Sequence, residues 1–194
     1  MMVSFMHFCK KIRLIFCVVS LVLFSTSVIA ESSSFRIRSA NLTVYEGDYL
    51  LNADAEINFG TEMEKAIQKG FVFNFLIEFQ LLMPKKYWFD DEVATVVQQV
   101  SLSYHALTRQ YIVMRNDQQR AYASLDEALE DLSIIQDMKV FHETEVEKGE
   151  RYQAILLMRL DQKKLPKALQ IDGITSSEWK ISSQRFEWTP NLFK

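Results

Sequence analysis

The sequence predicts an α+β domain built mainly of antiparallel β-sheet, with two helices packed on it and a β-sandwich as the alternative arrangement. Three observations carry that reading. Long segments with a two-residue hydrophobic period recur, above all Phe71–Leu82, Val93–His105 and Tyr152–Asp161. The connections between them are short, and short connections favour antiparallel neighbours over parallel crossovers. Two Ser/Thr-x-x-Glu signatures, at Thr61–Glu64 and Ser124–Glu127, each open a short amphipathic stretch.

Taken in order, Phe35–Tyr45 reads as a strand. Glu46-Gly47-Asp48 reads as a turn, since glycine adopts positive φ without steric cost. Tyr49–Phe59 returns to complete a hairpin. Thr61 with Glu64 forms a capping box for a helix through Lys69, and Gly70 stops it as a C-terminal glycine does. In Phe71–Leu82 the residues Phe71, Phe73, Phe75, Ile77, Phe79 and Leu81 share one face. Pro84-Lys85-Lys86 breaks this run. Val93–His105 and Tyr111–Arg115 follow as paired strands, and Asn116–Gln119 reads as a polar turn. The second capping box opens a helix to about Ile135, with Leu125, Ala128, Leu129, Leu132 and Ile135 as its apolar stripe. Met138–His142 is a short strand candidate, Glu143–Glu150 a charged loop and Tyr152–Asp161 a strong strand. Trp179–Trp188 is a last extended segment.

The first thirty residues have a different character. Lys10, Lys11 and Arg13 precede the apolar run Leu14–Phe24, and small or short side chains at Val28 and Ala30 suit a signal peptidase. The apolar stretch is shorter than the roughly twenty residues of a spanning helix. Residues 1–30 are therefore expected to be a signal peptide cleaved after Ala30, with 31–194 a single exported α+β domain, periplasmic in a bacterium. That segment holds three of the 22 basic residues and none of the 25 acidic ones. The remainder carries a net charge of −6, which disfavours nucleic acid as a partner, because phosphate binding needs a basic face. Both cysteines, Cys9 and Cys17, also lie there, so residues 31–194 offer no disulfide, thiolate nucleophile or cysteine metal ligand.

Four groups of residues are candidates for function. The stripe containing Phe71, Phe73, Phe75 and Phe79 suits either a packed sheet face or the lining of an apolar-ligand cavity. Lys85, Lys86, Tyr87, Trp88 and Phe89 place two cations and three aromatics at a bend between strands, and such amphipathic rings suit a partner-contact surface. The acids Asp90-Asp91-Glu92 lack the alternating spacing and glycine bend of a calcium loop and read as a solvated turn, neutralised by Lys85 or Lys86. His105 and His142 are the general-base candidates of residues 31–194, yet neither stands in a nucleophile or metal motif. No catalytic residue, cofactor or metal site is assigned, and an enzyme is not expected.

Tyr104-His105-Ala106-Leu107-Thr108-Arg109-Gln110-Tyr111 resembles the Tyr-x-x-Leu-Thr-x-x-Tyr turn of the bacterial family DUF4390. Gly70-Phe71, the aromatic turn Tyr87-Trp88-Phe89, the Ser124-Leu125-x-x-Ala128-Leu129 helix, Leu160-Asp161, Leu165-Pro166 and Trp179 match its landmarks in order. Where relatives often show two adjacent tryptophans at the turn, this chain has Trp88-Phe89. The resemblance implies an exported protein of a Gram-negative bacterium, and its association with genes for membrane-bound sensor kinases implies a membrane-bound sensor protein as partner. Two readings result: a non-enzymatic accessory module that contacts such a sensor, and a carrier or sensor of an apolar, lipid-like ligand.

Overall fold

The computed structural model describes residues 33–193, except 168 and 170–178. The chain divides into two units, Met1–Ala30 and Glu31–Lys194. The expected signal peptide and its cleavage point lie outside the described residues.

Nine strands and two α-helices follow one another in the described residues. Strand β1 (Ser34–Tyr45) and strand β2 (Asp48–Asn58) form a hairpin, and helix α1 (Thr61–Gln68) leads to β3 (Phe73–Met83). Then come β4 (Asp91–His105), β5 (Gln110–Arg115), β6 (Gln118–Tyr122), α2 (Leu125–Ser133), β7 (Ile134–His142), β8 (Gln153–Leu160) and β9 (Phe186–Trp188). They make a three-stranded sheet in the order β1-β2-β7 and a six-stranded sheet in the order β6-β5-β4-β3-β8-β9. Every ladder is antiparallel. The fold is thus the expected α+β arrangement of antiparallel sheet with two helices.

Turn chemistry sets the hairpins. Glu46 and Gly47 both take positive φ, 51° and 84°, the two-residue turn whose twist matches the strands it joins. Asn116 and Asp117 do the same between β5 and β6, at 47° and 62°. Gly70, at φ 88°, ends α1 as expected. Its N–H donates to the Ile67 carbonyl at 2.8 Å and the Phe71 N–H to the Ala66 carbonyl at 3.2 Å, the paired bonds of a Schellman cap.

The core lies where the two sheets face each other. Phe73, Phe75, Ile77, Phe79 and Leu81 of β3 are fully buried. Phe75 meets Phe35 at 5.6 Å and Phe59 at 5.9 Å, both from the three-stranded side of the core. Phe79 meets Phe141 of β7 at 6.1 Å. The opposite face of β3 is half-buried and polar, with Arg159 Nε donating to Glu78 at 2.8 Å and Gln99 to Asn74 at 2.9 Å.

Several boundaries differ from the sequence reading. The Thr61–Glu64 capping box does not form. Gly60 is the N-cap, its carbonyl accepting from Met63 N–H at 3.0 Å and Glu64 N–H at 3.2 Å, so Thr61 is already helical. Ser124 does cap α2 by accepting from Glu127 N–H at 3.2 Å, but the Glu127 carboxylate accepts from Ala123 N–H rather than from Ser124. The second helix ends at Ser133, and Ile135 belongs to β7, because two β-branched residues in succession favour extended backbone. Strand β7 therefore begins at Ile134 rather than Met138. Its register with β2 shifts twice, at Val140 and at a bulge at Asp137, φ 49°, whose N–H donates to the Asn52 side chain at 3.1 Å. Residues 118–122, read partly as turn, form the polar edge strand β6. Of Trp179–Trp188, Phe186–Trp188 is strand, preceded by an isolated bridge from Ser182 to Arg159.

Phe75→Ala removes a fully buried ring that packs on Phe35 and Phe59, and leaves a cavity. It is expected to cost about 3–5 kcal/mol in denaturant unfolding, against less than about 1.5 kcal/mol for Leu76→Ala on the half-buried opposite face.

Candidate partner-contact site

The bend between β3 and β4 is built by its ends. Pro84 cannot donate to a ladder, so pairing stops after Met83. The Asp90 carboxylate accepts from the Lys85 N–H at 3.1 Å and closes the loop. The Lys85 ammonium pairs with the Asp91 carboxylate. Lys86 sits over the Tyr87 ring, its Nζ 5.4 Å from the centroid. Beyond these anchors the three rings stand in solvent: Tyr87 is 81%, Trp88 82% and Phe89 96% exposed. Burying such a side chain is worth about 1.5–3 kcal/mol, so three adjacent exposed rings forgo several kcal/mol in this fold. Two of the three acids beside them hold the loop: Asp90 caps it and Asp91 pairs with Lys85.

The other stripe residues are placed differently. Phe73 stacks on Trp179 at 5.6 Å, and Phe79 lies 6.2 Å from Trp188. With Phe75 between Phe35 and Phe59, the space in front of all three rings is filled by other side chains. Phe71 is half-buried and precedes β3.

The two histidines serve their own turns. His105 Nδ1 accepts from the Thr108 N–H at 3.3 Å and lies 3.0 Å from Thr108 Oγ1, at the β4–β5 hairpin. His142 Nδ1 accepts from the Thr144 N–H at 3.3 Å, while the Glu145 carboxylate accepts from the His142 N–H at 2.7 Å. Among the described residues no three His, Cys, Asp or Glu side chains are grouped to hold a metal ion.

Sequence reasoning missed one cluster. Arg115 of β5, Arg120 of β6 and Asp131 of α2 converge beneath the end of the six-stranded sheet. Arg115 Nη2 donates to the Asp131 carbonyl at 2.9 Å, and Arg120 Nη1 pairs with Asp131 Oδ1 at 2.7 Å. Arg115 Nη1 stands 3.9 Å from Asp131 Oδ2, and both Arg115 Nε and Asp131 Oδ2 are buried with no hydrogen-bond partner among the described residues. Burial pushes the Arg115 guanidinium below its ordinary value, against the pull of Asp131. Burial also raises the Tyr122 hydroxyl, with the Asp131 carboxylate adding to the effect. No local spacing announces this cluster, because its members come from three elements that only the β5-β6-α2 packing brings together.

The sheets and the exposed loop define a class: a two-sheet antiparallel α+β domain with an aromatic, charged bend at one end of its β3–β4 hairpin. The chain belongs to the DUF4390 family, a domain of unknown function, whose family model matches residues 32–189. No curated protein and no solved structure matches it.

Asp131→Ala leaves two guanidinium groups without their shared carboxylate, one of them largely buried. It is expected to lower unfolding free energy by about 2–3 kcal/mol, while Arg120→Ala, at the exposed end, costs clearly less. Equal losses for the two variants would contradict the assignment of Arg115 as the buried member.

Proposed function

We propose that this protein is an exported, non-enzymatic interaction module that contacts the outer part of a membrane-bound sensor protein through the β3–β4 bend. The observation that carries the reading is the exposure of Tyr87, Trp88 and Phe89 together, flanked by Lys85 and Lys86. Contiguous exposed apolar groups rimmed by charge mark contact surfaces, and Trp and Tyr dominate the energetics of such contacts. The loop is anchored at its base by Asp90 and Asp91, so the rings are presented with part of their ordering cost already met. Export through the first thirty residues places the module in the periplasm, on the same side of the membrane as a sensor's outer domain.

The carrier reading draws less support. A ligand on the β3 stripe would have to displace Phe35, Phe59, Phe141, Trp179 and Trp188 from rings they already contact.

The test places a photo-cross-linking residue at Trp88 in cells that express the full chain, with Leu107, on the turn at the other end of β4, as control. Adducts with a membrane-bound sensor are expected at Trp88 and not at Leu107. Trp88→Ala and Lys86→Glu are each expected to lower capture of the same sensor about tenfold or more. Equal adducts at both positions, or capture untouched by both variants, would remove the bend as the contact.

A further inference from the structure

Strand β4 is longer than its outer neighbour. It pairs with β3 from Asp91 to Leu102, but β5 covers only Val100–His105 on the other side. Among the described residues the outer edge of β4 before Val100 therefore carries no ladder. Unpaired edges invite a further strand, and proteins guard them with charge, proline, bulges or brevity. The other edges here are guarded. Strand β1 carries Arg36 and Arg38, β6 is five residues long with Arg120, and β9 is three residues long. Strand β7 bulges at Asp137 and carries Lys139. On β4 the only irregularity falls at Val93, and the six residues that follow, Ala94-Thr95-Val96-Val97-Gln98-Gln99, hold no charge and no proline.

This edge opens on a groove of about 610 Å³, walled by Val96 and Val97, by Ile134 and Met138 of β7, and by Arg115 and Arg120. Val97 is 53% exposed. Two guanidinium groups share the single carboxylate of Asp131, which leaves one cationic charge in excess on that wall. On the facing wall the Lys139 ammonium pairs with Asp48 at 2.7 Å, and Asp137 stands across the groove from the two guanidinium groups.

We infer that the free edge of β4, Ala94–Gln99, receives an extended segment of a partner protein as an added antiparallel strand, with an acidic side chain near the segment's N-terminal end set against Arg115 and Arg120. The inference rests on the interaction reading above and names the partner's chemistry. The six-residue edge spans about 20 Å. Strand β5 runs antiparallel to β4 and turns away at Asn116-Asp117. The added segment takes the course β5 would follow without that turn, so its N-terminal end lies at Arg115 and its C-terminal end near the aromatic bend. Main-chain bonds to the edge supply affinity, and alternate side chains entering the groove supply selectivity.

A displayed library of random peptides of about twelve residues, panned against protein purified after expression of the full chain, provides the probe. Selected peptides are expected to slow amide hydrogen exchange at Ala94–Gln99 about tenfold or more and to carry an acid in their N-terminal half. Val96→Lys, an inward charge of the kind that guards natural edges, is expected to weaken their binding about tenfold. The exchange footprint on the unaltered protein stands as the measurement should that variant fail to fold. Peptides that leave Ala94–Gln99 unprotected, or a library that gives no binder, would overturn the inference. A dimer protected at the same amides without peptide would also overturn it, by assigning the edge to a second copy. The two readings fail separately: loss of the Trp88 adducts with an intact footprint removes the bend alone, and the reverse removes the added strand alone.

Discussion

The structure depends on the burial of one face of β3 between two sheets. Five consecutive inward positions, Phe73, Phe75, Ile77, Phe79 and Leu81, are fully excluded from water. The strand lies inside the six-stranded sheet with β4 on one side and β8 on the other, so both of its edges are paired. A one-residue slip would turn that whole apolar set to the opposite face, so the register of β3 is tightly specified. The three-stranded sheet is held in place by the same rings, through Phe35, Phe59 and Phe141.

This interior uses the rings of β3 and leaves those of the following bend outside. Phe79 and Phe89 are only ten residues apart, yet one is fully buried and the other almost fully exposed. The difference comes from Pro84 and the Lys85–Asp90 and Lys85–Asp91 contacts, which turn the chain away from the core before Tyr87. The free edge of β4 begins at the base of the same loop. Exposed rings and an unguarded edge thus lie side by side, and both are features that a folded chain leaves open at some cost in solubility.

Much of the fold was legible in the sequence, and the reasons are particular. The alternation from Phe73 to Leu81 is strict because one face is buried and the other half-wet, which is the condition under which period two appears. Gly47 and Gly70 were readable because each sits at positive φ. Ser124 was readable as an N-cap, whereas Thr61 was not, because Gly60 before it has an extended backbone and a carbonyl that accepts from Met63 and Glu64, which starts the helix one residue early. Strand β6 was missed because Gln118–Tyr122 is a polar edge with no buried face to impose a period. The exposed bend could be named from its residue types, but their exposure could not, since the same aromatics could fold back over the core. The Arg115–Asp131–Arg120 cluster was beyond sequence reasoning, being assembled by packing alone.

The central claim is that the rings of β3 make the interior while those of the bend take no part in it. Equilibrium denaturant unfolding of a protein carrying Tyr87→Ser, Trp88→Ser and Phe89→Ser together tests this most directly. The account expects an unfolding free energy within about 0.5 kcal/mol of the unaltered protein, as for surface substitutions remote from the core. A loss of more than about 2 kcal/mol would mean that these rings cover the core, and would contradict it.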